Sequence, residues 1–297
     1  MNLAIRTVSL FMFCLCNLYL AAQQYPVSTL FGNNLIQTNP AMTGAVYKHS
    51  ANVIWRGAGT ASPNLPYPTT LWANYAYRMD KINSGIGISY RYDAWGAQKR
   101  NTALLSYAYH IPIKSLYLSI GASAGINTLN VDYSGLIFGE PVPEPQFNPV
   151  FTADFGLALH HEKWNVGLSM TQLNNPTFRA KNIPGSYNLA PQFWLFADYR
   201  FNMGEKWSLT PRVQLVADRI NLTTNIQVLA TRKEKFWFGI GMKNTFGNDP
   251  YFIISPMVGY DIKGKFRIGY AANISSVPDA FTHNHMTSEV VLSFLMK

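Results

Sequence analysis

The feature that most constrains this chain is an alternation of apolar residues with small or polar ones, repeated almost to its last residue. Residues 116–127 place Leu, Ile and Ala at even positions and Tyr, Ser, Gly and Asn at odd positions. Side chains of a β-strand point alternately to opposite faces, so a period of two predicts a strand with one apolar face. Opposite faces of this kind are typical of strands that separate hydrocarbon from a watery interior.

The same pattern recurs often enough to predict an all-β, antiparallel up-and-down transmembrane β-barrel of about fourteen strands. An even number is expected for a bacterial single-chain barrel whose two termini lie on the same side. The predicted strands cover residues 45–57, 69–79, 84–95, 101–112, 115–129, 150–160, 163–171, 188–202, 206–218, 220–232, 235–245, 251–262, 265–275 and 286–296. Pro211 and Pro256 fall inside two of these strands, where proline removes a ladder donor, so we expect bulges there.

The lengths of the connections predict the orientation of the barrel. Six connections are short and alternate along the chain with longer ones rich in Pro, Gly and Asn, such as residues 130–149 and 172–187. Outer-membrane barrels have short periplasmic turns and longer external loops. We therefore expect a bacterial outer-membrane protein with its N- and C-termini in the periplasm.

Composition supports a membrane barrel over the alternative of a soluble β-sandwich. Only 13% of the residues are charged and 14% are aromatic, yet mean hydropathy is −0.02. The outward faces of a soluble sandwich should be polar, whereas one face of nearly every segment here is apolar. After the first 22 residues, no apolar run approaches the roughly 20 residues of a spanning helix.

The first 22 residues resemble an export signal. Arg6 precedes an apolar stretch at residues 8–20, and Ala21-Ala22 provides a small-residue cleavage site before Gln23. Both cysteines, Cys14 and Cys16, fall within this segment, so the mature chain would contain none. Their removal excludes disulfides, thiol catalysis and thiolate metal sites.

Export also bears on the meaning of the net charge. The formal charge is +9 for the whole sequence and becomes +8 once Arg6 is removed with the signal. An excess of this size is common in nucleic-acid-binding proteins. An exported protein does not meet nucleic acid, so we expect no nucleic-acid partner, and outer-membrane lipid as the surrounding medium.

Between the signal and the barrel lies an irregular segment, so we divide the chain into a signal (1–22), this segment (23–44) and the barrel (45–297). The segment reads QQYPVSTLFGNNLIQTNPAMTG, with turn-forming Gly and Pro residues. It cannot cross lipid with unpaired backbone groups, so it must lie in water or inside the lumen. It could be a plug, a periplasmic docking strip or an ordered lead-in to the first strand.

Several motifs, taken in order, resemble the PorP/SprF family of outer-membrane proteins of the type IX secretion and gliding machinery of Bacteroidetes. The resemblance covers most of the mature chain. Its motifs are Gln24-x-Pro26, Phe31, Asn39-Pro40-Ala41, Gly44, Trp55-Arg56, the hairpin MDKINSGIGISY at 79–90 and the run DFGLALHHEKWNVGLSMTQLNNP at 154–176.

The resemblance implies a protein that binds, exports or anchors specific secreted proteins, for instance through the C-terminal region of an adhesin, and that docks to periplasmic components of the system. Candidate partner-binding residues are Asn39, Pro40, Ala41, Gly44, Lys81, Lys233, Lys263 and Phe147. The alternative is an outer-membrane channel for small or hydrophobic solutes.

The sequence offers no constellation for catalysis, and we expect no enzyme activity, no cofactor and no metal site. His283-x-His285 is a weak metal-ligand signal in a loop. Charges predicted to face the lumen are scattered over several strands, which favours inward ion pairs. Twelve of the 23 basic residues beyond Arg6 fall at the short-turn end: Arg78, Lys81, Lys114, Lys163, Arg200, Lys206, Arg232, Lys233, Lys235, Lys263, Lys265 and Lys297.

Overall fold

The structure is a computed structural model that describes residues 26–58, 68–133, 143–247, 250–276 and 286–297. The predicted signal at 1–22 lies outside these ranges, as do His283 and His285.

Regular structure in the described residues consists of strands and single-turn 3₁₀ helices. The helices are Phe31–Asn33, Leu35–Gln37, Pro40–Met42 and Asp80–Ile82. The strands are β1 (His49–Ala58), β2 (Thr69–Met79), β3 (Ser84–Trp95), β4 (Gln98–Ile113), β5 (Leu116–Val131), β6 (Val150–His161), β7 (Trp164–Thr171), β8 (Thr177–Arg179), β9 (Ser186–Asn188), β10 (Gln192–Tyr199), β11 (Phe201–Met203), β12 (Trp207–Ala217), β13 (Leu222–Arg232), β14 (Phe236–Phe246), β15 (Tyr251–Ile262), β16 (Phe266–Ser275) and β17 (Met286–Met296). None of the helices in the described ranges is long and apolar enough to cross a membrane.

The strands form a closed antiparallel barrel. Each wall strand pairs with its neighbours in sequence, and β1 closes the cylinder by pairing with β17 from His49–Met296 to Ala58–Thr287. β10 and β11 face β12 in one continuous register and act as a single strand, while β8 and β9 pair only with each other. The wall therefore has fourteen strands, as predicted.

The predicted alternation of faces is also confirmed. On β14, Phe236, Phe238, Ile240 and Met242 are exposed on the outer face, whereas Trp237 is buried inside. Strands of this kind place their apolar side chains against lipid and leave the interior to small and polar residues.

Two strand boundaries were wrong. β1 begins at His49, not at residue 45, because residues 45–48 still belong to the irregular segment. The eighth wall strand begins at Gln192, not at 188, since residues 186–188 pair with β8 in a separate hairpin. Pro191, which has no N–H to offer a ladder, precedes the true start.

The expected bulges at Pro211 and Pro256 do not form. Pro211 pairs with Val228 and Pro256 with Ile240, and the register continues unchanged on both sides of each proline. On the other side of each proline, the ladder has a short gap in pairing. A proline is therefore accommodated by loss of local pairing and not by an inserted residue.

Because the outer face contacts hydrocarbon, charge should be tolerated on it only near the barrel ends. Ile240 lies near the middle of β14 and Ile262 at the short-turn end of β15, and both are exposed, at 57% and 44%. We expect Ile240→Arg to lower the free energy of unfolding in lipid vesicles by about 2–4 kcal/mol, and Ile262→Arg by about 0–1 kcal/mol. Equal losses, measured by denaturant titration, would contradict a membrane-facing outer wall.

Candidate functional site

The N-terminal segment, residues 26–48, fills much of the lumen with residues 26–45 and reaches the short-turn end of the barrel at residues 46–48. Val27 packs against Trp194 and Val216, near the long-loop ends of β10 and β12. Asn33 reaches the opposite end, where its side-chain oxygen accepts a hydrogen bond of 2.9 Å from Arg267. The chain then turns back toward the middle of the barrel at Gln37, whose side-chain amide donates to carbonyls of β2 and β3 at 3.0 Å each. From there it returns to the short-turn end, where β1 begins, so the segment crosses the lumen once and then folds back to about the middle of the barrel.

The Asn-Pro-Ala motif forms the turn that fastens this segment to the wall. Asn39 caps the helix Pro40–Met42, its side-chain oxygen accepting from the Ala41 N–H at 2.9 Å. Proline suits the first helical position, because the N–H group that it lacks would have no partner within the helix. The Asn39 amide also donates to the carbonyls of Leu157 and Leu168, at 3.0 and 3.1 Å. One side chain thereby joins the turn to both β6 and β7.

Glycines on the inner face of the wall make room for this turn. A Cβ atom at Gly85 would overlap the backbone of Thr43, and one at Gly121 would overlap the backbone at Ala41. A Cβ atom at Gly156 would meet the Asn39 side chain. The alternation that leaves glycine facing inward on β3, β5 and β6 therefore creates a cradle, defined here as Gly85, Gly121 and Gly156.

Two buried charged side chains, Glu289 and Lys243, form hydrogen bonds with the backbone at the start of the segment. The Glu289 carboxylate is fully buried and accepts hydrogen bonds from the Ser28 hydroxyl at 2.7 Å and from the N–H groups of Thr29 and Leu30 at 2.9 and 3.0 Å. The Lys243 ammonium donates to the Val27 carbonyl at 2.8 Å. Hydrogen bonds to charged groups contribute about 1.5–3 kcal/mol each, so this end of the segment is firmly held.

The long-loop end carries a small hydrophobic cluster of its own. Phe178 on β8 is fully buried against Leu129 and Leu189. Phe147 packs edge-on against Phe178 with ring centroids 6.0 Å apart, and it bridges to Ala180. The β8–β9 hairpin is thus folded against the ends of the wall strands.

Charged side chains also face the lumen, among them the predicted Asp93, Asp154 and Arg267 and, in addition, Arg100 and Asp261. Arg267 forms a bidentate pair with Asp261 at 2.6 and 2.7 Å, and Arg100 lies 3.4 Å from Asp93. Asp154 accepts from the Ser123 hydroxyl and from the Gln172 N–H. Within the described ranges, no group of three His, Cys, Asp or Glu side chains is placed to hold a metal ion.

The predicted partner-binding residues fall into three separate places. Asn39, Pro40, Ala41 and Gly44 are buried in the lumen. Lys81, Lys233 and Lys263 are exposed on the short turns at one end of the barrel. Phe147 belongs to the hydrophobic cluster at the other end. A partner could therefore contact the lysines directly, and the Asn-Pro-Ala turn only from within the lumen.

Sequence reasoning missed the residues that hold the segment in place. The sequence pattern indicated only that Glu289 is a charged residue facing the lumen. It gave no sign that Glu289 binds Thr29, which lies 260 residues earlier. The cradle glycines could have been suspected, because a glycine inside a strand often marks the close approach of another backbone.

A closed antiparallel barrel with an apolar outer wall and a polar interior places the chain in the class of outer-membrane β-barrel proteins. The chain belongs to the type IX secretion system membrane protein PorP/SprF family, whose match spans residues 20–294. It is therefore an outer-membrane component of type IX secretion. No curated protein matches the chain.

Solved outer-membrane transporters share the fold. The Ralstonia pickettii toluene transporter TbuX is 14% identical over 90% of this chain and 94% of its own, with a TM-score of 0.54. The P. putida toluene transporter TodX is 10% identical over 86% of this chain and 92% of its own, with a TM-score of 0.52. Similarity at this level of identity shows a common fold alone.

The cradle can be tested with a single methyl group. Gly121→Ala places a Cβ atom against the Ala41 backbone, so we expect overpacking to lower the free energy of unfolding by about 1–3 kcal/mol and to speed amide exchange in residues 27–45. Gly241→Ala, whose nearest contacts are flexible side-chain atoms at 3.3–3.4 Å, should change stability by less than about 0.5 kcal/mol. Hydrogen exchange in detergent checks both, and identical exchange in the two variants would argue against the cradle.

Proposed function

We propose that this barrel binds specific secreted proteins, for export or for anchoring at the cell surface, and docks to periplasmic components of the secretion system. Membership of the PorP/SprF family supports a role in secretion. The observation that carries the proposal is the lumen itself, which is filled by the chain's own buried segment. A filled barrel offers surfaces for partners more readily than a path for solutes.

The orientation we propose places the short turns in the periplasm, as in other outer-membrane barrels. β17 ends at Met296 on this side, so the C-terminus would be periplasmic. The segment enters β1 on the same side, but Val27 lies in the long-loop half of the lumen. A periplasmic location therefore applies to the C-terminus and to the entry into β1, and not to the first described residues.

The short-turn end is the surface that we assign to periplasmic partners. Lys81, Lys233 and Lys263 are exposed there at the tips of three turns. Acidic residues on the same turns are fewer, and some are paired, such as Glu234 with Arg200 at 2.8 Å. A surface with excess positive charge attracts acidic partners and speeds their association. The partner that fits this end is a protein with an acidic face.

The long-loop end would then face outward and receive the secreted cargo, such as the C-terminal region of an adhesin. The β8–β9 hairpin and Phe147 provide an ordered surface for such a contact. We propose that the protein works by binding alone and carries out no reaction.

The docking surface can be tested by reversing its charge. In Lys81→Glu/Lys233→Glu/Lys263→Glu, we expect the periplasmic proteins that co-purify with the barrel from native membranes to fall at least tenfold, because attraction becomes repulsion. The measurement is quantitative mass spectrometry of affinity-isolated complexes, with barrel assembly checked by protease resistance.

The matched control is Lys99→Glu/Arg179→Glu/Lys181→Glu, which makes the same change at the long-loop end. It should leave periplasmic partners unchanged. An equal loss in both triple variants, or no loss in the first, would exclude the short-turn end as the docking surface.

A solute channel is the rival function, and conductance separates it from binding. We expect wild-type barrels in planar bilayers to show no steady ohmic current, because the lumen is blocked by residues 26–45. Steady current in the intact wild-type protein would favour the channel. A deletion of residues 26–44, if it assembles, should conduct, since only the lumen contents have changed.

A further inference from the structure

The N-terminal segment leaves part of the lumen open, and this space forms a cavity at the short-turn end. Its volume is about 270 Å³. Residues between 32 and 47 of the segment line it on one part, and inward-facing residues of several wall strands, with β12 contributing the most, line the rest. Ligand pockets for small molecules begin at about 300 Å³, so the cavity suits a small ligand or the end of a chain, and not a folded partner.

One side of the cavity is apolar. Leu35, Ile36, Met42 and Val46 line it from the segment, and Leu295 lines it from β17. These side chains can enclose a short hydrocarbon group, which gains about 0.8 kcal/mol for each CH₂ removed from water.

The lining also carries the guanidinium groups of Arg200, Arg212 and Arg267, together with the carboxylates of Glu162, Asp198, Glu234 and Asp261. Arg267 is held by Asp261, and Arg200 pairs with Glu234 at the mouth. Among the described residues, Arg212 forms no ion pair within 4 Å, although its register partner Asp198 and the nearby Asp261 attract it at longer range. The Asp198 carboxylate instead accepts a hydrogen bond from Asn165 at 2.9 Å.

Two arginines that line the cavity have N–H groups without a hydrogen-bond acceptor. Of the described residues that line the cavity, Arg200 and Arg212 each have a buried Nε without a hydrogen-bond partner, and because these two atoms are shielded, a ligand in the cavity would meet the terminal guanidinium nitrogens. The Arg212 guanidinium packs directly against Gly32, where a Cβ atom would overlap it. The segment thus holds this side chain in place beside the cavity.

We propose that this cavity is a binding site for a carboxylate at the end of a short apolar chain. Arg212 donates to the carboxylate, since a planar guanidinium matches the geometry of two carboxylate oxygens. Leu35, Ile36 and Met42 enclose the apolar part. The carboxylate can come from a free short-chain acid or from the C-terminus of a polypeptide. The site does not depend on the secretion role proposed above.

The test is calorimetric titration of the full-length barrel in detergent micelles with hexanoate, and with hexanamide as its uncharged counterpart. We expect hexanoate to bind and hexanamide to bind at least tenfold more weakly, since hydrogen bonds to a charged group are worth about 1.5–3 kcal/mol. Equal binding of the two, or no binding of hexanoate at millimolar concentration, overturns the proposal.

Two variants and one control variant test whether hexanoate binds in this cavity. Arg212→Gln should weaken hexanoate at least tenfold, whereas Arg100→Gln, a luminal arginine outside the cavity, should leave it unchanged. Thr210→Trp keeps Arg212 but fills the cavity from the β12 wall, and it should also abolish binding. Wild-type affinity in both Arg212→Gln and Thr210→Trp would show that hexanoate binds elsewhere, for instance in the micelle.

A peptide arm identifies the source of the carboxylate. N-acetyl-Ala-Ala-Leu with a free C-terminus and its C-terminal amide are titrated under the same conditions. Tighter binding of the free-acid peptide than of hexanoate indicates a chain terminus, and the reverse order indicates a small solute. In either case the amide should bind at least tenfold more weakly than the acid, and equal binding of acid and amide overturns the proposal.

Discussion

Main-chain N–H and C=O groups find no partners in hydrocarbon, and the architecture of this protein follows from that constraint. A sheet in lipid must close on itself, so β1 pairs with β17 along ten residues and leaves no open edge. The same constraint acts on residues 26–48, which are too irregular to pair as a strand. Inside the lumen, their backbone groups meet inward-facing side chains such as Glu289, Asn225 and Lys243.

Much of the inner face of the wall is therefore in contact with the N-terminal segment. Buried charges and amides that would otherwise face water serve as its partners, and the cradle glycines allow its backbone to approach closely. A barrel built in this way resembles outer-membrane transporters in its wall and differs from an open pore in its contents. Among the described residues, a cavity is left at the short-turn end, where Arg212 and apolar side chains of the segment both line it.

How much could be predicted differs between the wall and its contents. Strand β14 was predictable to within a residue or so, because alternation is a local property and every second side chain reports the same face. The start of β10 was not, since the predicted strand began at residue 188, which instead pairs with β8 in a separate hairpin. At Pro211 and Pro256, the residue type indicated an interruption, but a bulge and a gap in pairing look alike in sequence.

For the candidate site, the motif Asn39-Pro40-Ala41 and the segment's prolines and glycines predicted irregular structure with turns, whereas the capping role of Asn39 became clear only in the structure. Its location could not be read from it. A plug and a periplasmic strip need the same local conformation, and they differ only in which distant residues they contact. Asn39 donates to carbonyls 118 and 129 residues away. Every residue has a backbone carbonyl, so the sequence does not show which carbonyl a side chain will bind.

The sequence by itself determined the transmembrane barrel, the number of strands and the two faces of each, because these depend on the period of neighbouring side chains and on the length of turns. Tertiary structure alone decided that the N-terminal segment folds into the lumen, that Glu289 binds its backbone and that a cavity remains beside Arg212. These features join residues far apart in the chain, and only closure of the barrel brings them within the few ångströms at which hydrogen bonds and packing act.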